Sequence, residues 1–355
     1  MKPVRGVDAE AYENFASFCR VDYPPDRVQY LFGAIDPNDP ALDLVRKLQQ
    51  EFPDRQIDIV SGSKSHVDGY NRKVTNLAGM LPCAKHDLLV LCDSDMRARP
   101  DYLRAIVAPF QQGAVAGKKT VGVVTCPYRG AVVRSFAAVL EALGIGAEFI
   151  PSVLTSRALE GVSFALGSTI VLPKQVLAEI GGFEDLADEL ADDYQIGNRA
   201  AKRGYSVIVS TYCVDDVLGA EQFKPMWARR LRWARTVRIC RPGGYAGAAV
   251  THGIVLGLLF LLSTGFSKLG WEVLGTVVGF RFAMASGIAT LTGDRNPIRY
   301  LPILPLSDLF SFALYVGSYL GNTIVWRGDR FRLQPGGKMI HLKDRETMER
   351  SIDRH

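Results

Sequence analysis

Between residues 28 and 209 short apolar runs alternate with amphipathic stretches. Val28–Ile35, Gln56–Val60, Leu88–Cys92, Gly122–Cys126 and Ser206–Val209 read as strands, and Ala41–Glu51 and Tyr102–Phe110 read as helices. Short buried runs separated by helices predict an α/β domain built on a mostly parallel sheet covered on both faces. Past residue 240 the pattern changes. Ala246–Phe266 holds 21 residues without Asp, Glu, Lys or Arg, enough to cross a ~30 Å hydrocarbon layer as one helix. A second apolar stretch, 273–292, is interrupted by Arg281, and a third, 301–326, contains Pro302, Pro305 and Asp308. Arg241-Pro242-Gly243-Gly244 reads as the hinge between the two parts. The expected organisation is a catalytic domain over 1–240, membrane-associated helices over 241–326 and a basic cytosolic tail over 327–355.

Composition narrows this only slightly. With 355 residues and 48% hydrophobic content the chain can bury a large core. The net charge of +5 arises from interspersed acids and bases, so nucleic acid is not an expected partner. The six cysteines show no CxxC or Cys/His spacing, which argues against a zinc site and a secreted disulfide framework and for a reducing, cytosolic face. The start, Met1-Lys2-Pro3, turns polar at once, so neither a signal peptide nor a leading span is expected.

The chemistry-bearing residues cluster at predicted strand ends, where ligands sit in such sheets. Leu88–Cys92 delivers Asp93 and Asp95, a pair able to hold a hard divalent cation (Mg or Mn) and, through it, diphosphate oxygens. A solvated acidic turn is the plainer alternative. Asp36 and Asp39 end the Val28–Ile35 run and can accept hydrogen bonds from a base edge or ribose, although Asp and Pro also suit ordinary turns. Asp192-Asp193-Tyr194 opens a helical pattern; its carboxylates serve either the helix dipole or as general base toward an acceptor hydroxyl. Gly69-Tyr70-Asn71-Arg72-Lys73, with Asn76, leads into a helix and can place Lys73 near a diphosphate. Arg229-Arg230-Leu231-Arg232-Trp233, followed by Arg235 and Arg238, joins guanidinium forks to an indole. That combination suits a diphosphate, or a basic collar at a membrane surface.

Taken in order, these motifs resemble those of the inverting, nucleotide-sugar-dependent glycosyltransferases of the ceramide glucosyltransferase family, with their bacterial relatives acting on hopanoid lipids. The likeness runs from Lys2-Pro3-Val4-Arg5-Gly6-Val7-Asp8 through the acidic motifs and Arg229–Trp233 to Trp326-Arg327-Gly328-Asp329-Arg330-Phe331-Arg332-Leu333. The resemblance implies a GT-A-type nucleotide-sugar-binding domain followed by membrane helices. It implies Asp39, with Asp36 beside it, and Asp93 on the nucleotide, Asp93 and Asp95 on a divalent metal, and Asp193 as catalytic base. Arg229, Arg232 and Trp233 would hold the leaving diphosphate, with Lys73 beside it. The implied reaction moves a hexose or N-acetylhexosamine from a UDP-sugar to a lipid hydroxyl at a bilayer. A hopanoid-lipid N-acetylglucosaminyltransferase, a processive polysaccharide synthase and an inactive nucleotide-sugar-binding membrane protein are the alternatives.

Two departures from the family pattern qualify this. The family opens with a membrane helix and a first strand before KPxxGxD, so the sheet is expected to lack a strand or the start to lie upstream. No histidine occurs within 146–160, which moves the expectation from ceramide toward another lipid alcohol. The arginine collar and basic tail both belong on the cytosolic side, so the crossings should be even in number and one apolar segment interfacial or re-entrant.

Overall fold

The computed structural model describes residues 1–62, 67–111, 119–326 and 328–342. The chain forms two compact units. The first comprises Met1–Ala187, Asp192–Gln222 and Ala283–Leu301; the second comprises Asp188–Ala191, Phe223–Phe282 and Pro302–His355. The division between the units falls at Gln222/Phe223, and the 283–301 segment belongs to the first unit.

In the first unit, strands β1 (Lys2–Pro3), β2 (Gln29–Ala34) and β3 (Gln56–Ser61) pair in parallel, with Lys2 opposite Phe32. A four-stranded sheet is ordered β4 (Leu88–Leu91), β8 (Ile170–Pro173), β6 (Val121–Thr125), β9 (Ser206–Val209). Backbone bonds from Met1 to Val90 O (2.7 Å) and from Cys92 N–H to Met1 O (3.2 Å) place β1 beside β4. A smaller sheet sets β10 (Val214–Gly219) between β5 (Met96–Arg97) and β7 (Tyr128–Val133). Strand β8 runs antiparallel to both its neighbours, an inversion that no local sequence pattern marks.

Helices cover this core: α1 (Ala11–Cys19), α2 (Ala41–Glu51), α3 (Arg72–Met80), α4 (Tyr102–Gln111), α5 (Phe136–Gly144), α6 (Ile150–Glu160), α7 (Lys174–Glu179) and α8 (Asp192–Lys202). Side chains alternate along β8, so Ile170 and Leu172 join one core with Leu77, Leu89 and Ile196, while Val171 joins another with Phe18, Tyr102 and Val124. A π-turn, Ile145–Phe149, links α5 to α6. The Phe136–Glu160 run is long and apolar enough to cross a membrane, yet 72% of its apolar 18-residue window is buried in the protein. It is a core element, and sequence periodicity had not singled it out.

The second unit contains α9 (Phe223–Cys240), α10 (Pro242–Gly247), α11 (Gly253–Ser263), the first part of α12 (Lys268–Thr292) and, beyond the short α13 (Asn296–Arg299) of the first unit, α14 (Leu304–Tyr319). The Ala246–Phe266 stretch is not one spanning helix. It breaks at His252, where the flanking segments Pro242–Thr251 and Gly253–Ser263 meet at 57°. Far from being a plain tail, the C-terminal part folds into an antiparallel sheet of β11 (Thr323–Trp326), β12 (Asp329–Leu333) and β13 (Met339–His341), with Phe331, Leu333 and Met339 packed on Leu190. Arg327 and residues 343–355 of the expected tail lie outside the described residues.

Candidate active site

Three chain segments far apart in sequence converge at the carboxyl ends of the strands of the first unit. The first is the start of α3. Asn71 caps it, its Oδ1 accepting from the N–H groups of Lys73 (3.1 Å) and Val74 (3.2 Å). The same side chain donates from Nδ2 to Asp192 Oδ1 at 3.0 Å, so one residue fixes the starts of both α3 and α8.

Lys73 projects from that first turn into a ring of carboxylates. Its Nζ lies 2.7 Å from Asp93 Oδ1 and 3.7 Å from Asp192 Oδ2. Burial acts to lower the Lys73 pKa, but the charges of Asp192 and Asp93, the Asp93 hydrogen bond and the charge of Asp193 hold it well above its ordinary value. Asp192 thus does more than meet a helix dipole: it is a buried partner of Lys73 and Asn71.

Asp193 borders the same centre. Its Oδ2 accepts the Gly167 N–H at 3.0 Å and its Oδ1 the Tyr194 N–H at 2.7 Å. Burial, then the negative charge of Asp192, pushes its carboxyl up to about 6, against the pull of Lys73 and the Tyr194 N–H. Two glycines make this approach possible. A Cβ on Gly197 of α8 would lie 2.2 Å from the Phe164 carbonyl carbon, so only glycine lets α8 press against that backbone. A Cβ on Gly167 would point into the centre itself, 3.2 Å from Asp193 Oδ2, 3.4 Å from Asp93 Oδ2 and 3.7 Å from Lys73 Nζ. Sequence reasoning missed Gly167, the bond from Asn71 to Asp192 and the Lys73–Asp192 pair. Glycine carries no chemistry to flag it, and the Asn71 contact spans 121 residues.

Asp95 follows Asp93 by two residues and is deeply placed; its Oδ1 is buried without a hydrogen-bond partner. Burial, then the charges of Asp93 and Asp8, raises its carboxyl to about 7. An orphaned acceptor beside an excess of negative charge fits a divalent cation. Among the described residues no group of three or more His, Cys, Asp or Glu is placed to hold a metal ion; Asp93 and Asp95 would supply carboxylates to a hard cation that takes its other ligands from substrate phosphates and water. The preceding loop is pinned by Lys2, whose buried Nζ donates to Asp93 O at 2.5 Å, and by Ser94, which donates to Asp8 Oδ2 at 2.6 Å.

The remaining residues expected at the site divide. Asp39 is buried and both its oxygens accept the Gly6 N–H at 2.9 Å, with Oδ1 also taking the Ala41 N–H at 2.9 Å. It latches the Val4–Asp8 loop, whose Asp8 reaches Ser94. Asp36 is exposed and accepts the Asn38 N–H at 2.9 Å, which is ordinary turn chemistry. Arg229, Arg232 and Trp233 lie on α9 of the second unit. There the Arg229 guanidinium stacks over the Trp233 ring at 5.4 Å and that of Arg232 over Trp326 at 5.5 Å.

Comparison with known proteins bears on the chain as a whole. The description "Glycosyl transferase family 21" matches residues 1–339. Ceramide glucosyltransferase 1 of Caenorhabditis elegans is 23% identical over 99% of this chain and 75% of its own length, and the Candida albicans ceramide glucosyltransferase is 34% identical over 29% of this chain and 21% of its own. Among solved structures, the mannosyltransferase PcManGT from Pyrobaculum calidifontis in complex with GDP-Man and Mn2+ superposes with a TM-score of 0.50 at 20% identity, covering 90% of this chain and 84% of that one. That likeness shows the fold, GT-A. With carboxylates gathered at the strand ends and a family match over nearly its whole length, the chain is a glycosyltransferase and belongs to glycosyl transferase family 21.

Proposed function

We propose that the chain moves a hexose or N-acetylhexosamine from a UDP-sugar to the hydroxyl of a membrane lipid, with inversion at the anomeric carbon, in a single in-line displacement. The observation that carries this reading is Asp193: a half-buried carboxylate with its pKa raised to about 6, held by the Gly167 N–H and bordering the same point beside Gly167 as Lys73 and Asp93. A base near neutrality takes a proton from an alcohol as it attacks while staying ionised at rest. Lys73 holds Asp93 in place and lends positive charge where the diphosphate leaves. Asp93 and Asp95 would hold a divalent ion, which supplies charge neutralisation of the departing diphosphate.

Asp39 and Asp36 are assigned to the nucleotide end, Asp39 by holding the Gly6 loop. The roles of Arg229, Arg232 and Trp233 with the diphosphate rest on the sequence motif. The arginines of α9 also support membrane attachment with the catalytic unit in the cytosol. The test is incubation of membranes carrying the protein with a panel of labelled UDP-sugars, followed by lipid extraction and determination of the anomeric configuration. A labelled lipid of inverted configuration that disappears in Asp193→Asn supports the reading. A retained configuration, or product unaffected by that substitution, defeats it.

A further inference from the structure

The helices of the second unit carry an inference about how this enzyme meets its membrane. Among the described residues α12 and Leu301–Tyr319 are long and apolar enough to cross a bilayer, and α10 with α11 qualifies as a bent pair. The contacts at their ends argue otherwise.

Consider first α14. It follows α13 closely, and the segment just before it is bonded to the catalytic unit: Arg129 Nη1 donates to Gly293 O at 2.8 Å and Asn296 Nδ2 to Gly130 O at 2.6 Å. Its other end leads through three residues into β11, whose sheet is tied by Met339 N–H to Asp188 O at 2.9 Å and by Leu190 N–H to Gly337 O at 3.2 Å. Asp188–Ala191 is joined covalently to Ala187 and to Asp192. Both ends of α14 are therefore leashed within a few residues to the aqueous unit, whereas a crossing helix needs its ends on opposite faces. Its neighbour along its length is α9. Phe310 lies 5.6 Å from Phe223, Ser311 accepts from Arg230 at 3.5 Å, and Gly321 O accepts from Arg238 at 3.2 Å. A helix bearing Arg229, Arg230, Arg232, Arg235 and Arg238 belongs among headgroups, not in hydrocarbon. At the far end Tyr245, His252, Phe312, Tyr315 and Tyr319 form one aromatic cluster, the residue type that settles at the membrane–water boundary.

The α11–α12 hairpin then has a measurable reach. Arg281 of α12 grips Asp308 of α14 by a two-pronged pair, Nε–Oδ2 and Nη2–Oδ1 both 2.7 Å, which fixes where α12 meets the surface level set by α14. From Arg281 to Lys268 is 13 residues, about 20 Å of helix. Helix α11 has 11 residues, about 16 Å. The two run antiparallel, Val277 beside Gly253 and Leu274 beside Gly257. A hydrocarbon core of ~30 Å exceeds both reaches. The corner between them carries exposed Leu262, Phe266, Leu269 and Trp271, and Lys268 is paired with Glu272 at 3.7 Å.

We propose that α14 lies in the plane of the membrane surface and that α11–α12 is a re-entrant wedge, so the described residues of the second unit attach to one leaflet and expose nothing on the opposite face. The inference rests on the membrane reading above and sharpens it. The acceptor hydroxyl is drawn from, and the glycosylated lipid returned to, the leaflet facing the catalytic unit.

Cysteines at Lys268 (Lys268→Cys) and at the two ends of α14 (Leu306→Cys, Leu320→Cys), each in a Cys83→Ser/Cys240→Ser background, test it in sealed vesicles of both orientations, with a parallel Cys240→Ser protein that keeps Cys83 as the marker. The exposed native Cys83 marks the catalytic face. Membrane-impermeant maleimide is expected to label Lys268→Cys from neither face until detergent is added, and quenchers at graded lipid depth should find positions 306 and 320 equally shallow. Labelling of Lys268→Cys from the face opposite Cys83 would show a crossing, and labelling from the same face would show that the hairpin does not insert; either overturns the proposal. Release of the whole protein by alkaline carbonate defeats instead the membrane reading on which it rests.

Discussion

Replacing Asp193 with Asn should separate catalysis from stability. At neutral pH the wild-type carboxylate is ionised in a place that resists charge. Displacement from 3.8 to about 6 corresponds to about 3 kcal/mol of unfavourable charging. Asn removes that term but can no longer accept both the Gly167 and Tyr194 N–H groups, and one buried N–H left unpaired costs about 1–3 kcal/mol. The two nearly cancel, so Asp193→Asn should melt close to wild type at pH 7. The sign is checkable. A carboxyl whose pKa is raised on folding favours the folded state below about pH 4 and loses that contribution as pH rises through about 6, so the variant's stability should fall less than the wild type's across this window. Transfer should drop by ~10²-fold or more while UDP-sugar affinity is kept, since the base acts only in the reacting complex. Asp192→Asn should show the reverse balance, a larger stability loss because Lys73 and Asn71 lose a charged partner. Thermal melts in detergent, equilibrium UDP-sugar binding and initial rates on the same preparations measure all three quantities. Comparable rate losses with comparable stability losses at both positions would refute the assignment of distinct roles.

The remaining expectations are briefer. Asp95→Ala should abolish metal-dependent UDP-sugar binding while the fold persists, and in the wild type metal affinity should weaken as pH falls through about 7, where Asp95 takes up its proton; calorimetry with Mn2+ and UDP reads both. Lys73→Met strands Asp93 and Asp192 without their cation and should cost about 3 kcal/mol or more in stability, measured by denaturant titration. Gly197→Ala puts a methyl within 2.6 Å of the Phe164–Ala165 backbone and should cost about 1–3 kcal/mol through overpacking, with loss of transfer as Asp193 is displaced; unchanged melting would show that the helix approaches less closely.

Much of the first unit was legible because burial and hydrogen bonding there follow local rules. Ala41–Glu51 and Ser206–Val209 were read with the bounds they adopt, and the strand ending in Asp93 and the helix opening with Asp192 were read within a residue. Each has the period of its element, and acidic residues at a strand end or first helical turn are visible in one dimension. Pairings across the sheet are not. The pairing of β4 with the antiparallel β8 joins residues 79 to 85 apart, and the Asn71–Asp192 bond spans 121. The break at His252 was equally hidden, since 246–266 has an unbroken apolar composition and the bend is set by the packing of His252 on Phe312 and Tyr315. Asp39 was found, but as a ligand contact; that it secures the Gly6 loop needed the geometry.

The bonding of Asp188 and Leu190 to Met339 and Gly337 also sets a timetable for biosynthesis. Asp192 and Asp193 leave the ribosome long before the strand that anchors the segment just ahead of them. At 5–20 residues per second the intervening stretch, close to 150 residues, takes roughly 7–30 s to make. During that delay the sheet, the Asp93 turn and Lys73 can assemble, but the bonds of Asp188 and Leu190 to Met339 and Gly337 cannot yet form. The start of α8, with Asp192 and Asp193, is therefore expected to be secured last, once residues 337–339 have been made.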